Sequence, residues 1–150
     1  MKKPKHPRTL KLIKNYIPKQ LVSDEIEIYP NGIFQFFISK ILEDIDNGIF
    51  IPKMERIDIA KWRKTHIINS ESLDQVHLQR VNTKQPIIQA EIRIGQFEII
   101  DGNHRIEKAY RDGKKSIHSY KIYGEELVPY FYTQEGYECF VKYWNSKLGD

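Results

Sequence analysis

The chain has 150 residues, 40% of them hydrophobic and 12% aromatic, and a formal net charge of +4 at neutral pH. That is enough apolar material for one packed domain, and no apolar run is long enough to cross a bilayer, so a cytoplasmic protein without a membrane partner is expected. Cys139 is the only cysteine, which excludes an internal disulfide and a cysteine-built zinc site.

The charge is uneven. Residues 1–20 hold Lys2, Lys3, Lys5, Arg8, Lys11, Lys14 and Lys19 with no acid, so this stretch carries +7 and the remainder −3. It lacks the continuous apolar region of a signal peptide and reads as a basic N-terminal arm, ahead of a single domain over residues 21–150. A solvated tail is the plainer role, and contact with a nucleic acid or another polyanion the sharper one.

Glu25-Ile26-Glu27-Ile28-Tyr29 alternates polar with apolar and predicts a strand, which Pro30-Asn31-Gly32 should break. Ile33, Phe34, Phe37, Ile38, Ile41, Leu42 and Ile45 then recur at helical spacing, with Asn31 as the expected cap and Gly48 beyond the last turn. Phe50-Ile51-Pro52 and Ile57-Asp58-Ile59 lead onward. Ser72-Leu73-Asp74-Gln75 has the form of a capping box, predicting a helix from Glu71 or Ser72 to about Val81. Pro86 follows it, then a strand from Ile87 to Ile94, a turn at Gly95 and a second strand from Gln96 to Ile100.

The sharpest signal lies at Asp101-Gly102-Asn103-His104-Arg105. A strand runs into a breaker pair, and Ile106, Ala109 and Tyr110 at i, i+3 and i+4 start a helix that Gly113 should stop. The first amides of a helix lack intrahelical partners, and Gly102 has no side chain to block their approach, so this turn can receive an anion. Asp101 as an ordinary cap and His104 and Arg105 as solvated side chains is the bland alternative. A strand over Ile117 to Tyr123, a break at Gly124-Glu125-Glu126 and a last helix capped by Thr133 complete the chain. Tyr137, Phe140, Val141, Trp144 and Leu148 form its apolar stripe, expected to be buried rather than a base-stacking platform.

With the helix over 71–82, Gln85-Pro86-Ile87-Ile88, the strand at 96–100, the turn at 101–105 and the strand at 116–123 in this order, the segment from about Ile57 to Tyr123 resembles the ParB/sulfiredoxin-like superfamily. The resemblance implies an α+β fold, a mixed sheet with packed helices, to which this chain adds an N-terminal strand and helix and a C-terminal helix. It also implies phosphate binding by Gly102, Asn103, His104 and Arg105, with Gln85 near the nucleotide. Asn103 stands where sulfiredoxins carry their reactive cysteine, and an amide cannot act as a thiolate nucleophile, so sulfinic acid reduction is not expected.

The function expected is nucleotide binding, with phosphoryl transfer or nucleotide hydrolysis as the reaction if there is turnover. Asp101, His104 and Glu107 are then the candidate catalytic groups, with magnesium accompanying ATP or CTP. No protein-built metal site is expected. The alternatives are a nucleic-acid-associated protein, binding DNA or acting in a nuclease-like way with help from the basic arm, and a non-catalytic regulator or antitoxin. There is no Walker A loop, Gly-x-Ser-x-Gly elbow or His-Glu-x-x-His motif. His6, His66, His77 and His118 show no ligand spacing.

Overall fold

A computed structural model describes residues 7–21, 26–65 and 85–148. The predicted helix over 71–81, with its capping box, lies outside the described residues, as do Lys2, Lys3, Lys5, His6, His66 and His77. The chain is α+β, with a two-stranded and a mixed four-stranded sheet and five α-helices among the described residues.

Strands β1 (Ile28–Asn31) and β2 (Phe34–Phe37) form an antiparallel hairpin that pairs Ile28 with Phe37 and Asn31 with Phe34. Helix α1 (Ile38–Asp46) begins only after it. The expected helix from Ile33 therefore loses its first turn to a strand, and Asn31 is not its cap. The two-residue loop is Gly32-Ile33, with Gly32 at φ +62° in the first central position that favours glycine in a hairpin turn, and Phe34, Phe36 and Phe37 favour a pleated surface. Pro30 is tolerated because β1 is an edge strand, paired only with β2.

The larger sheet has the order β3-β6-β4-β5, formed by Lys53–Asp58, Ser116–Ile122, Ile87–Arg93 and Gln96–Asp101 respectively. β3 and β6 are antiparallel, with Ile57 opposite Ile117. β4 and β5 join through a two-residue turn containing Gly95, so the parallel contact of this mixed sheet falls between β6 and β4. Ile87 to Ile92 are all buried, as suits an inner strand covered on both faces.

Helix α2 (Ile59–Thr65) starts at Asp58, whose carboxylate accepts the Lys61 amide at 3.1 Å. Helix α3 (Asn103–Arg111) follows β5, and Gly113 has φ +77° just beyond its end. The expected break at Gly124-Glu125-Glu126 is instead a short helix, α4 (Gly124–Leu127), closed by a hydrogen bond from the Tyr123 amide to Glu126 at 3.0 Å. After a 3₁₀ turn at Val128–Tyr130, helix α5 (Gln134–Ser146) is capped by Thr133, whose hydroxyl accepts the Gly136 amide at 3.0 Å. Tyr137, Phe140, Val141 and Trp144 of its stripe are buried, and Leu148 lies past its end, half-buried.

The residues cluster into two units. The first comprises 1–51, 90–98 and 122–150; the second comprises 52–89 and 99–121. In the first, an aromatic core brings Phe36 to 5.2 Å from Phe131 and Phe131 to 4.9 Å from Phe140, measured between ring centres. Residues 8–16 dock on it without joining a sheet. Leu10 exchanges two 2.9 Å hydrogen bonds with Asn145, the Ile13 amide donates to the Tyr137 hydroxyl at 2.7 Å, and Trp144 Nε1 donates to the Arg8 carbonyl at 2.9 Å. Side chains thus supply the backbone partners that a sheet would otherwise give. This part of the basic arm is fixed rather than a solvated tail.

In the second unit, Ile57, Ile59, Ile87, Ile99, Ile106, Ala109 and Ile117 form the core, with Trp62 packed against it. This core holds the end of β5, α3 and the turn between them.

Candidate functional site

The turn at Asp101–Arg105 is built from three local decisions. β5 ends at Asp101, α3 begins at Asn103, and Gly102 between them adopts φ 102°, ψ 21°. L side chains rarely adopt this conformation. A Cβ here would also lie 2.5 Å from Ile87 Cγ2, so Gly102 lets the turn press onto β4. The Ile106 amide closes the first helical bond, to the Gly102 carbonyl, at 3.0 Å. The amides of Asn103, His104 and Arg105 precede that bond and have no intrahelical acceptor.

Arg105 fixes the turn from its other side. One guanidinium nitrogen donates to Asp101 Oδ2 at 2.6 Å and the other terminal nitrogen donates to the Pro86 carbonyl at 2.7 Å. Both charged side chains are largely buried, at 14% and 12% exposure, so this is a partly desolvated ion pair that ties the two ends of the motif together. Two of the five N–H donors of Arg105 are committed by these bonds.

The other expected site residues are distributed unevenly. Gly102, Asn103 and His104 share the turn and are half-buried. Gln85 is exposed, one residue before the Pro86 carbonyl that Arg105 holds. Glu107 is displaced from the expected group. It is 4% exposed and its carboxylate accepts from Arg63 at 2.7 Å and from Arg111 at 3.1 Å, not from Arg105. The reason is helical geometry: Glu107 lies two positions past Arg105, too far round the helix to share its face, and Arg111 stands at i+4.

Asp101 and Glu107, the carboxylates expected to take part in catalysis, are therefore each held by guanidinium groups. Among the described residues, no group of three or more His, Cys, Asp or Glu side chains converges on a point where a metal could sit. That donor set does not fit a magnesium ion held directly by Asp101 and Glu107 together. What the turn offers chemically is a preorganised set of amide donors at the positive end of a helix dipole, flanked by an imidazole.

Two charged clusters in the first unit lay beyond sequence reasoning. Glu91 is buried on β4 and accepts from Arg8 at 2.5 and 3.0 Å, from the Gly95 amide at 2.8 Å and from the Gly124 amide at 3.1 Å. Burial pushes its carboxyl up, but these donors outweigh that and hold it below the ordinary carboxylate value. Asp44, fully buried on α1, takes 2.8 Å bonds from Lys19 and Tyr130, with Lys40 at 3.3 Å from its second oxygen. Its carboxyl is likewise raised by burial and lowered further by its donors, to a net value below the ordinary one, while burial and Asp44 push the Tyr130 hydroxyl up. No single-position signal marks either cluster, because Lys19, Gly124, Arg8 and Tyr130 lie 25 to 86 residues from the carboxylates they bind.

A cavity of about 560 Å³ lies in the first unit, lined by residues that include Leu21, Glu27, Ser39, Leu42, Glu43 and Asp46. None of the expected site residues lines it. No helix among the described residues is long and apolar enough to cross a membrane. In comparisons with known proteins, no family model, no curated protein and no solved structure matches this chain.

Proposed function

We propose that the chain is a nucleotide-binding protein of the ParB/sulfiredoxin-like kind, in which the turn at Asp101–Arg105 receives a phosphate group. The observation that carries this reading is the clamp of Arg105 on Asp101 and Pro86 behind a left-handed Gly102, which presents the first amides of α3 in a fixed arrangement. Preorganised donors lose little entropy when an anion arrives. Asn103, His104 and Arg105 contribute amides, and Arg105 holds the turn in shape. With Asp101 paired to Arg105, magnesium would enter on the nucleotide's own phosphates, and binding is the step these residues support. Phosphoryl transfer or hydrolysis would require Asp101 or His104 to move a proton at the bound phosphate.

A thermal-shift series with ATP, CTP, GTP and ADP, each with magnesium, tests this reading, because a ligand bound only to the native state raises its melting temperature. The informative variant is Asn103→Asp. An acid in the first turn favours the helix dipole by about 0.3–1 kcal/mol, so the fold should be kept or strengthened, yet the same charge repels a phosphate. A nucleotide shift in the wild type that Asn103→Asp abolishes is the expected result. Equal shifts in both proteins would remove the turn from consideration.

A further inference from the structure

We infer that the α2/α3 side of the second unit is a binding surface for single-stranded nucleic acid, separate from the turn at Asp101–Arg105 and independent of the nucleotide reading. Charge is segregated between the two units. The described residues of the second unit hold 11 lysines and arginines against 5 acids, a formal +6, whereas those of the first hold 8 against 10, a formal −2. The net charge of the body therefore understates the field on this one side, and a concentrated positive field attracts a polyphosphate backbone.

The arrangement of the cations is specific. α2 packs against α3, and the Ile59 amide donates to the Lys115 carbonyl at 3.0 Å, bringing the loop after α3 beside the start of α2. Lys61 and Lys64 on α2 and Lys115 on that loop are exposed. Between the helices, buried Glu107 holds Arg63 and Arg111, and the Arg63 guanidinium lies over the Tyr110 ring at 3.7 Å from its centre. Tyr110 is 47% exposed and the Arg63 side chain 32%. A planar guanidinium and an aromatic ring, stacked and fixed by a buried carboxylate, form a platform on which an unpaired base stacks, with lysines alongside for the phosphates.

This chemistry separates nucleic acid from a lipid surface. A peripheral membrane face needs a cluster of apolar side chains to insert, and Met54 and Tyr110 are the only large hydrophobic residues found exposed among the described residues of this unit. An exposed base face also favours a single strand over a duplex, whose bases are already stacked.

The test is fluorescence anisotropy with labelled twelve-nucleotide oligothymidylate and oligouridylate, the two arms separating DNA from RNA, across 50–300 mM NaCl. Binding is expected with a log–log salt slope of about −2 to −3.5, corresponding to roughly three to five phosphate contacts on a single strand. The triple variant Lys61→Glu/Lys64→Glu/Lys115→Glu, at exposed positions, should weaken binding at least tenfold. Tyr110→Ala should weaken it about fivefold or more, while Tyr110→Phe, which keeps the ring, should bind as the wild type does. The inference is overturned by no binding at 50 mM salt, by binding that the triple variant leaves unchanged, or by tighter binding to a duplex of the same length. Binding lost on Lys2→Ala/Lys3→Ala/Lys5→Ala instead, or equal binding to vesicles containing phosphatidylserine, would also overturn it.

Discussion

Gly102 is the residue on which the shape of the turn depends, through its φ of 102° and its closeness to Ile87. Gly102→Ala places a methyl where Ile87 already stands and holds an L residue in a conformation it rarely adopts. Each effect costs about 1–3 kcal/mol, so urea denaturation should show a loss of about 2–6 kcal/mol. Arg105→Ala leaves the largely buried Asp101 carboxylate without its guanidinium and should destabilise by about 1–3 kcal/mol. Asp101→Asn/Arg105→Ala should recover part of that loss, since the uncompensated charge is then gone, and a double-mutant cycle measures the coupling. At this scale the sequence was informative. A breaker pair followed by an apolar repeat located the strand-to-helix junction to within a residue, because those signals are local. It did not reveal that Arg105 turns back onto Asp101 and Pro86, since that choice depends on β4 lying beside the turn.

Among the elements, the N-terminal segment departs furthest from expectation. Seven basic residues without an acid read as a solvated arm, yet Arg8 lies between Glu91 and Glu125 and over the Trp144 ring at 4.9 Å, and Lys19 reaches Asp44. The acids that neutralise these cations stand far along the chain, so local charge counting could not pair them. Arg8→Met keeps much of the packing on Trp144 but leaves Glu91, 1% exposed, with only backbone donors. A loss of about 2–4 kcal/mol is expected, read from chemical denaturation, with faster cleavage by protease within residues 7–21. The β1–β2 hairpin teaches a related lesson. Ile33 to Ile45 fits a helical repeat, but Phe36 also satisfies a strand that pairs with Tyr29, and the turn at Gly32-Ile33, with Gly32 at φ +62°, decides in favour of the hairpin. The last helix was legible throughout, because its cap and its stripe belong to one continuous segment.

For the whole molecule, stability at low pH is set by carboxylates of the first unit. Asp44, Glu91 and Glu125 all titrate below their ordinary values of 3.8, 4.5 and 4.5. Burial opposes the donors at the first two, and the hydrogen bond from Arg8 leads at the third. The unfolded chain therefore takes up protons more readily than the native one. The stability these groups contribute is fully present above the ordinary carboxylate range and is lost as pH falls through the lower native values. Melting temperature should be nearly constant from about pH 8 to pH 5 and fall progressively below about pH 4.5, and the fall should be shallower in Arg8→Met, where part of the linkage is already removed. The α+β class implied by the resemblance is the class observed, and the strand and helix signals along the chain agree with it. The division into two units was not legible, because β4 and β5 each contribute residues to both.

The proposed phosphate-binding role of the turn is tested most directly by amide chemical shifts. In a ¹⁵N-labelled sample titrated with ATP, CTP, GTP or ADP in the presence of magnesium, and separately with inorganic phosphate, the amides of Asn103, His104 and Arg105 should show the largest shifts. They should saturate along a single binding curve for at least one nucleotide, and Asn103→Asp should abolish the response while leaving the remaining spectrum in place. Shifts centred elsewhere, or no movement of these three amides at millimolar ligand, would contradict a phosphate site at Asp101–Arg105.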